Sequence, residues 1–125
     1  ATREWLIRNN GAGQPSFQIS ANGATVVLNA TWGAALSTAA WHLVIVWHDS
    51  VANTINIQID NETPVSTATA GVAPVARAGE FRIGSETGAL FFNGLIDEVG
   101  FSKRVLTTAE RTSLWNGGAG LTYPF

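Results

Sequence analysis

Two histidines, a scatter of carboxylates and one isolated tryptophan are the groups of this chain that could do chemistry. His42 and His48 fall on one apolar run, Trp41 to Asp49. Six residues of extended chain separate them by roughly 20 Å, too far for a shared metal ion. His42 reads as a packing residue, and His48, beside Asp49 at the end of the run, is free to meet solvent or a ligand. No serine sits in a nucleophile-elbow pattern and cysteine is absent, so a catalytic triad has no support. Asp97-Glu98 is an adjacent acidic pair. Neighbours on a strand point to opposite faces, so the two cannot flank one scissile bond as acid and base. One of them is expected to accept backbone or arginine hydrogen bonds inside a sheet.

Asp49, Asn53, Asp60, Asn61 and Glu62 gather around one predicted hairpin. Calcium takes several loop oxygens, which makes it a candidate ion here. Asp and Asn are also the ordinary turn residues, and Asp49 and Asp60 belong to opposite ends of the hairpin. The turn reading is therefore preferred, and no cofactor is assigned. Trp32, in Thr31-Trp32-Gly33, is the one tryptophan outside a regular run. Its ring could stack on the apolar face of a sugar, or simply cover the edge of a sheet. Trp5, Trp41, Trp47 and Trp115 follow strand or helix patterns and are expected in the core.

These groups must be positioned by strands. Phe17 and Ile19 alternate with polar neighbours, a second short run covers Thr25 to Asn29, and Ile55, Ile57 and Ile59 share one face with Asn56, Gln58 and Asp60 opposite. The last pattern predicts an antiparallel strand wet on one side. Trp41 to Trp47, apolar on both faces, predicts a central strand. Asn9-Asn10-Gly11, Asn22-Gly23, Asp49-Ser50, Asp60-Asn61, Thr87-Gly88 and Asn93-Gly94 mark turns. Thr63 to Ala78, with Pro64 and Pro74, predicts an edge strand and a crossing loop. Near the end, a strand over Leu95–Phe101 and a basic turn precede a helix from Thr108 to about Asn116. Thr107 and Glu110 have capping-box spacing, and Gly117 stands where a left-handed cap residue belongs.

Three of these segments carry a family resemblance. Gly94-Leu95-Ile96-Asp97-Glu98-Val99-Gly100-Phe101 with the Thr107–Glu110 helix start, Trp41-His42-Leu43-Val44 with Ile55–Asn61, and Phe81-Arg82-Ile83-Gly84 resemble the laminin-G-like, concanavalin A-like jelly-roll family. The likeness runs from about Trp5 to Trp115. It implies an all-β fold, an antiparallel jelly-roll β-sandwich with one short C-terminal helix, over a single domain of residues 1–125. Glucanases sharing that fold carry an E-x-D-x-x-E strand that this chain lacks. The family's usual first strand is also missing. The chain starts at Ala1 and holds no methionine, so it reads as processed or cut from something longer.

Composition narrows the function. Charged residues are 13% and the net charge is −2, with no basic run, which argues against nucleic acid and anionic membrane surfaces as partners. No apolar run is long enough to span a membrane. The absence of cysteine leaves the compartment undecided. The resemblance and the lack of catalytic groups together imply a non-catalytic recognition or adhesion module, glycan-binding, on an extracellular or virion-surface protein, with Trp32, His48, Asp49 and Asn53 as the ligand site. A phage decoration or fibre component is the alternative. With its first strand missing, the sandwich is expected to self-associate or to borrow a neighbouring subunit.

Overall fold

The computed structural model describes residues 4–23, 25, 28–76, 78–86 and 89–122. The turn signal at Thr87-Gly88 and part of the Thr25–Asn29 run lie outside them. Strands β1 (Trp5–Asn9), β2 (Pro15–Ile19) and β3 (Leu28–Thr31) form one antiparallel sheet in that order. Strands β4 (Val44–Asp49), β5 (Thr54–Ile59) and β6 (Val65–Ala68) form a second. A short pair, β7 (Ser85–Glu86) and β8 (Ala89–Phe91), follows, and α1 (Thr108–Trp115) runs into a 3-10 turn at Asn116–Gly118.

The alternation seen in the sequence decides how the two large sheets meet. Phe17, Ile19 and Ala30 from the first sheet and Ile55, Ile57 and Ile59 from the second make one buried cluster. Phe17 lies opposite Ala30 in register, so both point the same way. Thr67 Oγ1 donates to the Asn29 carbonyl at 3.1 Å and stitches β6 to β3. The edge strand expected after Pro64 is β6.

Strand β5 is not wet on its other side. Asn56 and Gln58 are as buried as the isoleucines between them. Helix α1 covers that face: Arg111, only 8% exposed, reaches Gln58 with its Nε and holds its guanidinium carbon 4.5 Å from the centre of the Trp47 ring. A period-two pattern identifies a polar face, but polar groups can be buried when they find partners.

The helix starts as expected. Thr107 accepts from the Glu110 amide, and the Glu110 carboxylate accepts from the Thr107 amide. At its end Asn116 (φ 48°) is left-handed and Gly117 (φ 63°) follows it there, so the reversal occupies two residues instead of Gly117 alone.

Two strand expectations need correction. Strand β4 begins at Val44 and, among the described residues, pairs only with β5, so it is an edge and not a central strand. Its apolar composition reflects coverage of its two faces, by the core at Val46 and by Arg111 at Trp47. Face coverage says nothing about lateral pairing. Phe81–Gly84 and Leu95–Phe101 form no strand. A strand exists only beside a partner, and no described segment forms a ladder with them, although the Gly84 carbonyl accepts the Phe92 amide at 2.7 Å and the rings of Phe81 and Phe101 pack together. Asp97 then accepts from the neighbouring Glu98 amide at 2.9 Å on the surface, not inside a sheet.

Candidate functional site

The polar focus of the molecule lies where the bend before β4 meets the far end of β5. Leu43 and Asp60 meet just beyond the ladder of that hairpin: the Asp60 amide donates to the Leu43 carbonyl at 2.7 Å, and the Leu43 amide donates to the side-chain Asp60 Oδ1 at 2.9 Å. Asp60 takes a left-handed backbone (φ 54°), which Asp tolerates better than most residues. Its second oxygen, Oδ2, lies 2.9 Å from His42 Nδ1, and His42 Nε2 lies 2.9 Å from Ser37 Oγ. A carboxylate only accepts, so Nδ1–H donates to Asp60, and in the neutral ring Nε2 is left to accept the Ser37 hydroxyl. His42 is thus a bonded link between two loops, not a packing residue.

Ser37, His42 and Asp60 have the connectivity of a nucleophile–base–carboxylate relay. Ser37, however, stands on an exposed bend, away from the strand-to-helix turn that projects a nucleophile over a sheet. What the chain of bonds supplies is a fixed position for Ser37 and His42, the residue after Trp41 in sequence. Trp41, next to His42, precedes β4 and is 61% exposed, in place of the core position expected for it. Trp41, Ser37 and His42 line one wide trough of about 3020 Å³ between the edges of β1 and β4 and the segment 81–106.

The sequence-derived candidates divide between two places. His48 and Asp49 line the same trough, at the opposite end of β4. His48 lies opposite the buried Ile55 in register and so shares the core-side face. Asp49 Oδ1 accepts the amides of Val51 and Ala52 at 2.9 and 2.8 Å and closes the hairpin turn. Asn53 stands in that turn with φ 53°, its carbonyl accepting from the Thr69 amide, and lies outside the trough lining. Trp32 packs half-buried against the core cluster, its amide donating to the Pro15 carbonyl, and is also outside the trough. The structure therefore joins His48 and Asp49, with Asn53 on the same hairpin, and leaves Trp32 apart. Among the described residues no three His, Asp or Glu side chains gather as a metal site, and no helix is long and apolar enough to cross a membrane.

Sequence reasoning missed Ser37, took Trp41 for a core residue and read Asp60 as a turn residue. The signals that could have found them were the Trp41-His42 pair beside a Ser-Thr-Ala-Ala bend and an Asp opening the Asp60-Asn61 turn. Their meeting depends on a contact across 18 residues.

The antiparallel sandwich and its late helix define a lectin-like class of domain. Residues 1–110 match the laminin-G-type model of the concanavalin A-like lectin/glucanases superfamily, and the chain belongs to that family. No curated protein and no solved structure matches the chain.

Proposed function

We propose that this domain is a recognition and adhesion module that binds glycan without cleaving it, carried on an extracellular or virion-surface protein. The observation behind this reading is Trp41: a large, mostly exposed ring, next in sequence to His42, that lines the same trough as the bonded pair Ser37 and His42. A pyranose ring presents an apolar face for the indole and hydroxyls for the polar groups. His48 and Asp49, along the same trough, would meet a second sugar unit of a longer chain. Membership of a family that includes lectins supports the ligand class. The non-catalytic part rests on Asp97 and Glu98 being adjacent and exposed, which does not suit a carboxylate pair across one bond. Glycan-array binding by the 125-residue chain, lost in Trp41→Ala, tests the reading; absence of any saccharide ligand would overturn it.

The assembly-block alternative has its own observation. Phe81, Ile83, Leu90, Phe91, Leu95 and Phe101 are all exposed in one segment, more apolar surface than a solitary domain usually shows.

A further inference from the structure

We propose that Ser37, His42 and Asp60 form an acyl-transfer site that hydrolyses carboxylic esters, with Ser37 as the nucleophile. His42 Nε2 lies 2.9 Å from Ser37 Oγ, and His42 Nδ1 lies 2.9 Å from Asp60 Oδ2. Both distances suit a relay of nucleophile, base and carboxylate. The tautomer is the working one. A carboxylate only accepts, so the proton of the neutral ring sits on Nδ1, and Nε2 keeps the lone pair that takes the serine proton. Asp60 is itself fixed, because its other oxygen accepts the Leu43 amide at 2.9 Å. The His42 and Asp60 side chains are each only 20% exposed, whereas Ser37 is open to solvent. The base and its orienting group are screened, and the nucleophile is accessible.

A strand-to-helix turn is one way to present such a serine, and the same three roles recur on unrelated scaffolds. Here Ser37 and His42 lie five residues apart on the segment leading into β4, and Asp60 comes from just past the end of β5. Among the described residues, the amide of Thr38, the residue after the nucleophile, meets no acceptor. That position supplies an oxyanion donor in other serine hydrolases, so the Thr38 N–H is the group assigned to the developing charge. Ser37 and His42 both line the trough, which gives an ester its way in.

Water is the only co-reactant. Ser37 Oγ attacks the ester carbonyl carbon while its proton passes to His42 Nε2. The C–O bond to the alcohol then breaks, and the imidazolium returns that proton to the leaving oxygen. Water, giving its proton to the same nitrogen, attacks the acyl-serine. The serine oxygen leaves and takes the proton back, so one acid and one alcohol are released and the site is restored. A single assigned oxyanion donor favours esters over amides, because an alcohol oxygen leaves more readily than an amide nitrogen. Acyl transfer needs no pair of facing carboxylates, so it is compatible with binding that leaves glycosidic bonds intact.

A fluorophosphonate probe tests the nucleophile on the 125-residue chain itself. Oγ should displace fluoride and form a P–O bond. Peptide mapping should then find the adduct on Ser37 and not on Ser50, which is also exposed but bonded to no histidine among the described residues. Release of acetate from p-nitrophenyl acetate should fall about 100-fold in Ser37→Ala and in His42→Gln, the usual worth of a positioned base. Asp60→Asn keeps an acceptor for the Leu43 amide but can donate to Nδ1, which reverses the tautomer. Its activity should fall as far while the Leu43 amide stays protected from hydrogen exchange, a split that a purely structural role for Asp60 does not produce. An unlabelled Ser37, labelling spread evenly over the exposed serines, or full activity in Asp60→Asn would overturn the proposal. So would hydrolysis kept in Ser37→Ala and lost in His42→Gln, which makes the imidazole the attacking group. Glycan binding by the parent is measured separately, so failure here leaves the recognition reading standing.

Discussion

Arg111 Nε lies 2.7 Å from Gln58 Oε1, a buried bond between α1 and the middle of β5 across 53 residues of sequence. The same guanidinium donates to the Leu106 carbonyl and to Thr108 Oγ1 and lies over Trp47. Among the described residues no carboxylate pairs with it. Its charge is met by neutral acceptors and an aromatic face. Arg111→Ala should cost about 2–3 kcal/mol in urea unfolding, since it strands Gln58 and uncovers Trp47. Arg111→Lys should recover little of this, because an ammonium cannot reproduce the planar fork. An unchanged midpoint in Arg111→Ala would mean that α1 does not hold the sheet.

The start of α1 makes stability depend on pH in a defined direction. Arg104 and the Thr107 cap hold the Glu110 carboxyl down to about 2, from an ordinary 4.5. A depressed carboxyl stabilises the fold above its unfolded pKa, and that contribution fades as pH falls from about 4.5 to about 2. Glu110→Gln should flatten the unfolding midpoint over this window relative to the parent chain. Equal slopes in the two proteins would refute the assignment.

Thr107→Ala removes the other half of the capping box and should cost about 1 kcal/mol. The loss should appear in urea unfolding at neutral pH, with near-complete retention of the sheet signal. Thr107→Ser, which keeps the acceptor, should stay within a few tenths of the parent.

Asp60 joins Leu43 and His42 through its two carboxylate oxygens. Asp60→Ala should cost about 2 kcal/mol, from two lost bonds and a left-handed backbone that alanine disfavours. Asp60→Asn keeps an acceptor and tolerates the backbone, and should lose about half as much. Hydrogen exchange at the Leu43 amide checks this: faster exchange in Asp60→Ala only is expected, and equal rates in all three proteins would refute it.

Trp32 and Trp41 should separate stability from recognition. Trp32→Ala should lower the unfolding free energy by about 2–3 kcal/mol, as truncation of a half-buried aromatic does. Trp41→Ala should leave the unfolding free energy within about 0.5 kcal/mol and abolish saccharide binding. A reversed outcome would return the ligand site to Trp32.

Local chemistry was legible in the sequence. Thr107 and Glu110 cap α1 because three-residue spacing alone lets each side chain reach the other's amide. Phe17 with Ile19, and Ile55 with Ile57 and Ile59, form the core because alternation puts them on one face of a strand. Asp49 closes its turn because an Asp side chain reaches the amides two and three residues on. The family itself follows from such short patterns in fixed order.

Contacts between distant segments were decided only by the tertiary structure. Periodicity shows which residues share a face but not what covers it, so Asn56 and Gln58 read as wet until Ser66 is bonded to the one and Arg111 to the other. An apolar strand reads as central whether or not a neighbour pairs with it, so β4 proves an edge only when the sheet is assembled. Leu95–Phe101 has a strand's composition and, among the described residues, no ladder partner to make it one. His42 finds its carboxylate 18 residues away, and Trp41 stays exposed because β4 starts only at Val44. Each of these is a relation between segments, set by how the sheets and the helix pack, and no spacing along one segment carries it.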